Sequence, residues 1–554
     1  MKKVSFWKIF FACLVALLVY GIVKLIFVIS AFSGFAAMGE SKPVAVKDNS
    51  ILEIKLLGDI PDRASDDPMS NVNMLNLSMN KPTLSMEQII SSVEYAKNDS
   101  KIKGIYINSL ACIAGYANLY ELRNVLKDFK ESGKFIYAYG DSYSQKDYYI
   151  ASVADSVIAG NEAVVEFKGL TSQFTSLKGF LEKIGVEMQI VRHGKFKSAV
   201  EPYFLDKMSE ENKLQTKKFI DGIWGVVIED VASSRNKSVE ELNKIVDENP
   251  FVNTAESIKL GLIDVAMTRP EYKQFLMKTL AVEKEDDLNY IDVPAYAKYA
   301  KSQVKNTSKN KIAVIYAQGE IANVDGDVAT IGDNICEAIH KAANDDKVKA
   351  IVLRVNSPGG SASQSEFILD EIKLAKEKKP VVASFGNYAA SGGYYISCQC
   401  SYIVCNPACL TGSIGVFGTI PNPEKLLNDK LGLKFENVST NAHSDFLTGV
   451  KPMSDFEKNI MQKYVEETYS TFVSHVATGR NMEKSNVDSI GQGRVWCGVN
   501  ALEIGLIDTF GGLNDAVKKA AELAELEDYK IVVYPKVKDF AKVRKFYIFL
   551  TFYS

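Results

Sequence analysis

A chain of 554 residues is too long for a single hydrophobic core, so two or three domains are expected. Its 65 basic and 68 acidic side chains leave a formal charge of −3, which excludes the strong basic field of a nucleic-acid-binding protein. With 47% hydrophobic and 24% charged residues, the composition excludes a wholly disordered chain as well.

The first element is the run from Ile9 to Phe32, almost wholly apolar and broken by Lys24. About 20 such residues span a bilayer. Lys2, Lys3 and Lys8 precede it, whereas Glu40, Lys42, Lys47 and Asp48 follow with no basic excess. The positive-inside rule then leaves residues 1–8 in the cytoplasm and the bulk of the chain outside it. Lys24 lies late enough in the run to snorkel toward the surface. A cleaved signal peptide competes with this reading, because Ala36 and Ala37 offer small residues for cleavage. The run exceeds a signal peptide's usual apolar stretch of about 7–15 residues, which favours a retained anchor over 9–32.

Beyond the anchor the chain repeats itself at an offset near 246 residues. Asn98–Ile107 matches Asn344–Leu353, and Tyr148–Ser152 matches Tyr394–Cys398. Leu260–Asp264 matches Ile504–Asp508 at a slightly smaller offset. Each copy alternates short β-branched runs with helical stretches such as Leu119–Glu131 and Ser363–Lys378, the pattern of a parallel sheet with crossover helices. Two α/β domains follow, over 50–290 and 311–535, with the lysine-rich, polar segment Ile291–Asn310 as their joint. The last stretch, 536–554, ends in an aromatic run too short to span a bilayer.

The copies differ where chemistry would sit. In the second, the strand-like run Ala350–Val355 leads into Asn356-Ser357-Pro358-Gly359-Gly360. Glycines after a strand tolerate positive φ and expose their amides, so they can aim N–H groups at an oxyanion. Further on stands Ala389-Ala390-Ser391-Gly392-Gly393, a serine with so little bulk around it that a substrate backbone can reach its hydroxyl. Either motif alone reads as a glycine turn, one of them with a small buried serine. Their pairing points to a nucleophile and an oxyanion hole. The first copy has Gln145, Lys146 and Asp147 in place of Ser391, Gly392 and Gly393, and Cys112-Ile113-Ala114 in place of Pro358-Gly359-Gly360. It has lost both devices.

These segments, with Leu410-Thr-Gly-Ser-Ile-Gly-Val-Phe417, resemble the signal peptide peptidase A family of the long, duplicated bacterial type. That family comprises membrane-anchored serine peptidases of the ClpP/crotonase superfamily that use a serine–lysine dyad. The resemblance runs from the apolar segment to about Tyr534. It implies tandem ClpP/crotonase-like α/β domains after one transmembrane helix, with no cofactor and no metal. It implies Ser391 as the nucleophile. The segment Gly194–Tyr203 resembles the family's lysine motif, which makes Lys197 the general base and acid, supplied by the copy that lacks a nucleophile. Ser413 matches the serine that orients the lysine, and the amides of Gly359 and Gly392 form the oxyanion hole. The implied partners are peptides (remnant signal peptides and other hydrophobic or unfolded segments), the membrane, and further copies of the chain in a tetramer. The implied location is the inner membrane, with the N-terminus cytoplasmic and the catalytic domains periplasmic.

Other residues compete for the base. None of His193, His340, His443 and His475 stands in a motif with an aspartate, which makes a Ser-His-Asp triad the weaker scheme. His193 would lie about 13 Å from residue 197 in an extended chain and reads as a surface histidine. His443 is the more serious rival, because the repeat places it opposite Lys197. Lys195 is assigned to solvent or substrate. A lysine acts as base only when neutral, which requires burial to lower its pKa from about 10.4 by as much as 3–5 units. Cys398, Cys400, Cys405 and Cys409 crowd together without the paired spacing of a zinc site, and read as small buried residues with room for one disulfide. Two further functions share the fold. A crotonase-like acyl-CoA enzyme would need neither Ser391 nor an anchor, and an inactive membrane scaffold would not need to keep both Ser391 and Lys197.

Overall fold

The computed structural model describes residues 45–64 and 84–535, except 305 and 328, with a few isolated positions before residue 84. The expected anchor over 9–32, isolated positions apart, and the tail 536–554 lie outside the described residues. Among the described residues no helix is long and apolar enough to cross a membrane.

Two sheets with one strand order form the frame. In the first, Ser50–Gly58 lies between Ile102–Cys112 and Asn289–Asp292, and the sheet continues in parallel through Phe135–Gly140 and Ser156–Ala159 to Val265–Ala266. In the second, Lys311–Gln318 lies between Val348–Ser357 and Lys530–Tyr534. That sheet continues in parallel through Val381–Ala390 and Tyr402–Cys405 to Thr509–Phe510. The end of Val381–Ala390 also pairs with Leu410–Gly412, which pairs antiparallel with Val495–Cys497. Lys311–Gln318 and Val348–Ser357 are buried along nearly their whole length, which is why they read as unbroken apolar runs. The crossover helix Ala362–Lys376 starts where the Ser361 side chain accepts from the Gln364 N–H, and it buries Ile368, Leu369, Ile372 and Ala375.

The halves interlock twice. Glu187–Arg192 of the first pairs antiparallel with Phe417–Asn422 of the second, Arg192 opposite Phe417. Elsewhere Arg354 reaches from the second sheet to two first-half acids, its Nη2 lying 2.6 Å from Asp62 Oδ1 and 2.7 Å from Glu121 Oε2. All three side chains are buried. Removing one partner would strand a buried charge.

Ile291–Asn310 is not the plain joint that its lysines suggest. Asn289–Asp292 is an edge strand of the first sheet, and Val293–Gln303 is a helix capped by Asp292. Val293 and Tyr296 are buried in the first core and Ala300 is buried as well, while Lys298 and Lys301 face outward and mask that apolar spacing. The connection itself runs from Val304 to Asn310.

Candidate active site

Ser391 stands between the strand Val381–Ala390 and the short helix Gly392–Tyr395. Its φ of 54° and ψ of −120° are unfavourable for a residue with a side chain. The turn is held by the Ser391 N–H, which donates to the Gly412 carbonyl at 2.9 Å. Such a sharp strand-to-helix turn presents the hydroxyl at the end of the sheet.

Lys197 arrives from the other half. Its chain leaves the strand Glu187–Arg192, which the pairing with Phe417–Asn422 has already carried across the boundary. The side chain is 3% exposed. Nζ lies 3.1 Å from Ser391 Oγ, 2.9 Å from Ser413 Oγ and 3.1 Å from the Ser413 carbonyl oxygen. A neutral amine has two N–H groups and one lone pair. The two oxygens of Ser413 can take both N–H groups, which leaves the lone pair for the Ser391 O–H. Burial without a compensating charge pushes the Lys197 pKa down from 10.5 to about 7.

Backbone packed against the lysine fixes its path. A Cβ on Gly493, whose φ is 80°, would stand 2.6 Å from Lys197 Cβ and 2.7 Å from its Cα and N, so only glycine passes there. Gln215 clamps the loop: its Nε2 donates to the Phe196 carbonyl at 3.0 Å and to Ser198 Oγ at 2.8 Å. Its Oε1 accepts from the Val495 N–H at 3.1 Å, tying the lysine loop to the second half. No local motif marks Gly493 or Gln215, and sequence reasoning passed over both.

Gly359 and Gly392 face each other beside the serine. A Cβ on Gly359, whose φ is 105°, would stand 2.7 Å from the Gly392 nitrogen and 2.7 Å from Ser391 Cβ. The Gly359 N–H donates to Ser357 Oγ at 3.1 Å. Behind it the Ile321 N–H donates to the Gly359 carbonyl at 2.9 Å. In the first copy Gln145 fills the serine's place, its Oε1 accepting from the Lys168 and Gly169 N–H groups at 2.8 and 2.9 Å.

The rival residues are engaged elsewhere. His193 stacks on Tyr469 with ring centroids 3.7 Å apart and pairs with Glu466. His443 is exposed and stacks on Phe456 at 3.9 Å. His340 faces Glu371 at 3.3 Å, and His475 faces Glu366 at 3.1 Å. Lys195 is exposed, with its Nζ over the Phe196 ring. Cys398, Cys400, Cys405 and Cys409 are buried and free, so the room for a disulfide among them is not used. Burial pushes the Cys400 thiol up to about 12. Among the described residues no group of His, Cys, Asp and Glu is placed to hold a metal ion.

A duplicated α/β fold with a buried lysine against a strained serine is that of a serine peptidase, and comparison with known proteins agrees. The chain belongs to peptidase family S49, whose model matches residues 128–283 and 373–527, one match in each half. Residues 304–402 also match the Clp protease model. Protease 4 of Haemophilus influenzae is 32% identical over 535 residues, covering 93% of this chain and 86% of that protein. Protease 4 of Salmonella typhi is 35% identical over 460 residues, 81% of this chain and 74% of that one. The chloroplastic serine protease SPPA of Arabidopsis thaliana is 32% identical over 489 residues, 87% and 70% of the two chains.

Proposed function

We propose that Ser391 and Lys197 form a catalytic dyad assembled across the two halves, and that the enzyme degrades remnant signal peptides and other hydrophobic or unfolded peptides. The observation that carries this reading is the 3.1 Å separation of Lys197 Nζ and Ser391 Oγ around a buried lysine. The Lys197 lone pair takes the Ser391 proton as Oγ attacks the peptide carbonyl. The amides of Gly359 and Gly392 hold the oxyanion, where one such donor is worth roughly 2.7–4 kcal/mol. Lys197, still held by Ser413, returns the proton to the leaving amine. A water then repeats the sequence on the acyl-enzyme and restores Ser391.

The half ending at Gln303 supplies the lysine, and the half from Lys311 supplies the nucleophile. The run 9–32 anchors the chain in the inner membrane, with residues 1–8 cytoplasmic and both domains periplasmic. This places the site where cleaved signal peptides remain. Copies of the chain assemble as a homotetramer, in keeping with the family resemblance. The full chain in detergent is expected to cleave a synthetic hydrophobic signal peptide, and Ser391→Ala is expected to lose that cleavage. A Ser391→Ala variant that cleaves at the wild-type rate refutes the nucleophile. A wild type that cleaves soluble unfolded peptides but not the hydrophobic one refutes the substrate.

A further inference from the structure

The helix Asp455–Arg480 turns one face toward the segment that delivers Lys197. Gln462, Glu466 and Tyr469 follow one another at helical spacing and share that face. Gln462 Nε2 donates to the Arg192 carbonyl at 3.1 Å, and Glu466 pairs with His193. Tyr469, 5% exposed, is the residue on which His193 stacks.

The Tyr469 hydroxyl reaches a second segment. It donates to Asp488 Oδ1 at 2.6 Å and accepts from the Gln492 N–H at 3.1 Å. Gln492 Nε2 also donates to Asp488 Oδ1, at 2.7 Å. These bonds fix a turn that is unfavourable on its own, with Gln492 at a φ of 56° and Gly493 at 80°. The lysine loop lies along that turn. A Cβ on Gly194, whose φ is 94°, would stand 2.4 Å from the Gln492 carbonyl carbon and oxygen. The Phe196 N–H donates to the Gln492 carbonyl at 2.9 Å, and the Lys197 backbone lies against Gly493. Through its ring Tyr469 holds the start of this loop, and through Gln492 it holds the end.

The first copy makes the same contact with different chemistry. Its helix Glu210–Arg235 is the counterpart of Asp455–Arg480, and both close on a left-handed asparagine, Asn236 and Asn481. Arg235 and Arg480 each pair with the aspartate of the repeated Gly-Leu-Ile-Asp, Asp264 and Asp508. In that register Trp224 stands at Tyr469 and Asn243 at Asp488, and Trp224 Nε1 donates to Asn243 Oδ1 at 3.1 Å. An indole donates one bond and accepts none, whereas a tyrosine hydroxyl does both. The helix Val239–Glu248 of the first copy also runs on where Lys484–Ile490 of the second stops and turns. The copy that receives the lysine has exchanged a packing contact for one that holds a turn.

We infer that Tyr469 is a positioning residue for Lys197: its hydroxyl locks the Gln492–Gly493 turn, which keeps the lysine loop closed against water. This rests on the dyad proposed above and names what keeps its lysine dry. The groups at Lys197 Nζ are Ser391, Ser413 and the Phe417 ring, and Arg192 Nη1 donates to the Lys197 carbonyl at 3.3 Å. Burial, with no carboxylate beside it among the described residues, is what disfavours the ammonium. Water admitted past a loosened Gly493 would favour the ammonium and raise the pH at which the amine is free. The titratable groups facing Tyr469 are His193 and Glu466 at its ring and Asp488 at its hydroxyl, and among the described residues none of them bonds Lys197.

The test measures how fast a fluorophosphonate labels Ser391 of the full chain in detergent as pH is varied. Tyr469→Phe keeps the ring on His193 and removes the hydroxyl. Its midpoint is expected to rise by about one unit, which makes labelling at pH 7 roughly fivefold slower and lets the rate recover to within about twofold of wild type near pH 9.5. Asp488→Asn keeps an acceptor for the hydroxyl and is expected to match wild type, whereas Asp488→Ala is expected to behave as Tyr469→Phe does. Trp224→Phe loses the matching bond in the first copy, and is expected to unfold at lower denaturant with its midpoint unmoved. A Tyr469→Phe midpoint equal to that of wild type overturns the inference, whatever rate or stability is lost, because a contact that only supports the fold does not move the titration. An equal shift in Trp224→Phe overturns it too. If Tyr469→Phe does not fold, Asp488→Ala decides in the same way. A wild-type rate that does not titrate overturns the dyad itself.

Discussion

Ser413 offers the Lys197 amine two oxygens, its hydroxyl at 2.9 Å and its carbonyl at 3.1 Å, so the lysine facing Ser391 is oriented by one residue from the far side. Ser413 is itself held at a φ of 51° by its N–H, which donates to the Arg494 carbonyl at 2.7 Å. Ser413→Ala keeps the carbonyl and loses the hydroxyl. The expected result is a fall in kcat of roughly 10- to 100-fold with KM little changed, the size of one lost hydrogen bond to a group that becomes charged. Steady-state kinetics on a peptide substrate checks this, and an unchanged kcat would remove the Ser413 hydroxyl from the account.

In the proposed dyad the serine and the lysine share one proton, so their losses should not add. Ser391→Ala and Lys197→Ala are each expected to reduce turnover to background, and the double variant to lose little more. Lys197→Arg should be equally inactive, because a guanidinium does not give up its proton in a protein. A Lys197→Arg enzyme with substantial turnover would contradict the account.

Burial of Lys197 makes stability depend on pH. Its folded pKa of about 7 lies below its ordinary 10.5, so the unfolded chain binds more protons between those values. The cost of burying the ammonium is therefore fully present below pH 7 and fades as pH rises toward 10.5. Lys197→Met removes the charge at nearly constant length. It should unfold at higher denaturant than wild type at pH 6, by on the order of 3–5 kcal/mol, with a smaller gap at pH 9. A gap that stays constant between the two pH values would contradict the depressed pKa.

Arg354 bridges two buried acids of the other half, Asp62 and Glu121. Arg354→Met would leave Asp62 and Glu121 buried together without a cation, at an expected loss of about 3–5 kcal/mol. Adding Asp62→Asn and Glu121→Gln to that variant should restore part of the loss, because the stranded charges are gone. Chemical denaturation checks both, and a single variant as stable as wild type would show that the triad does not hold the halves together.

The readable parts of this protein were those whose physics is local. Ser391, Gly359 and Gly392 stand out in the sequence because each sits among small residues, and the structure brings the three together. The parallel sheets were readable because strands buried on both faces, such as Lys311–Gln318, leave unbroken apolar runs. The helix expected at Leu119–Glu131 spans Tyr116–Lys130, a difference at its ends. Lys197 could be singled out only through its motif, since nothing in the composition of 194–203 says that residue 197 turns inward while residue 195 stays exposed. The pairing of Glu187–Arg192 with Phe417–Asn422, the passage at Gly493 and the clamp at Gln215 join distant segments, and such contacts impose no period on either one. The helix Val293–Gln303 was hidden by the outward lysines around its buried stripe.

The central claim, that a neutral Lys197 draws the proton from Ser391, is tested most directly by the rate at which a fluorophosphonate labels Ser391 as pH is varied. Labelling reads activation of the hydroxyl alone, with no leaving amine and no product release. The wild-type rate is expected to rise with pH through a midpoint near 7, following the lysine as it loses its proton. Lys197→Met is expected to label roughly 10²–10⁴ times more slowly, with that pH dependence abolished. A Lys197→Met protein that labels within a few-fold of wild type, or a midpoint that survives in Lys197→Met and disappears in a His193 or His443 variant, would contradict the dyad.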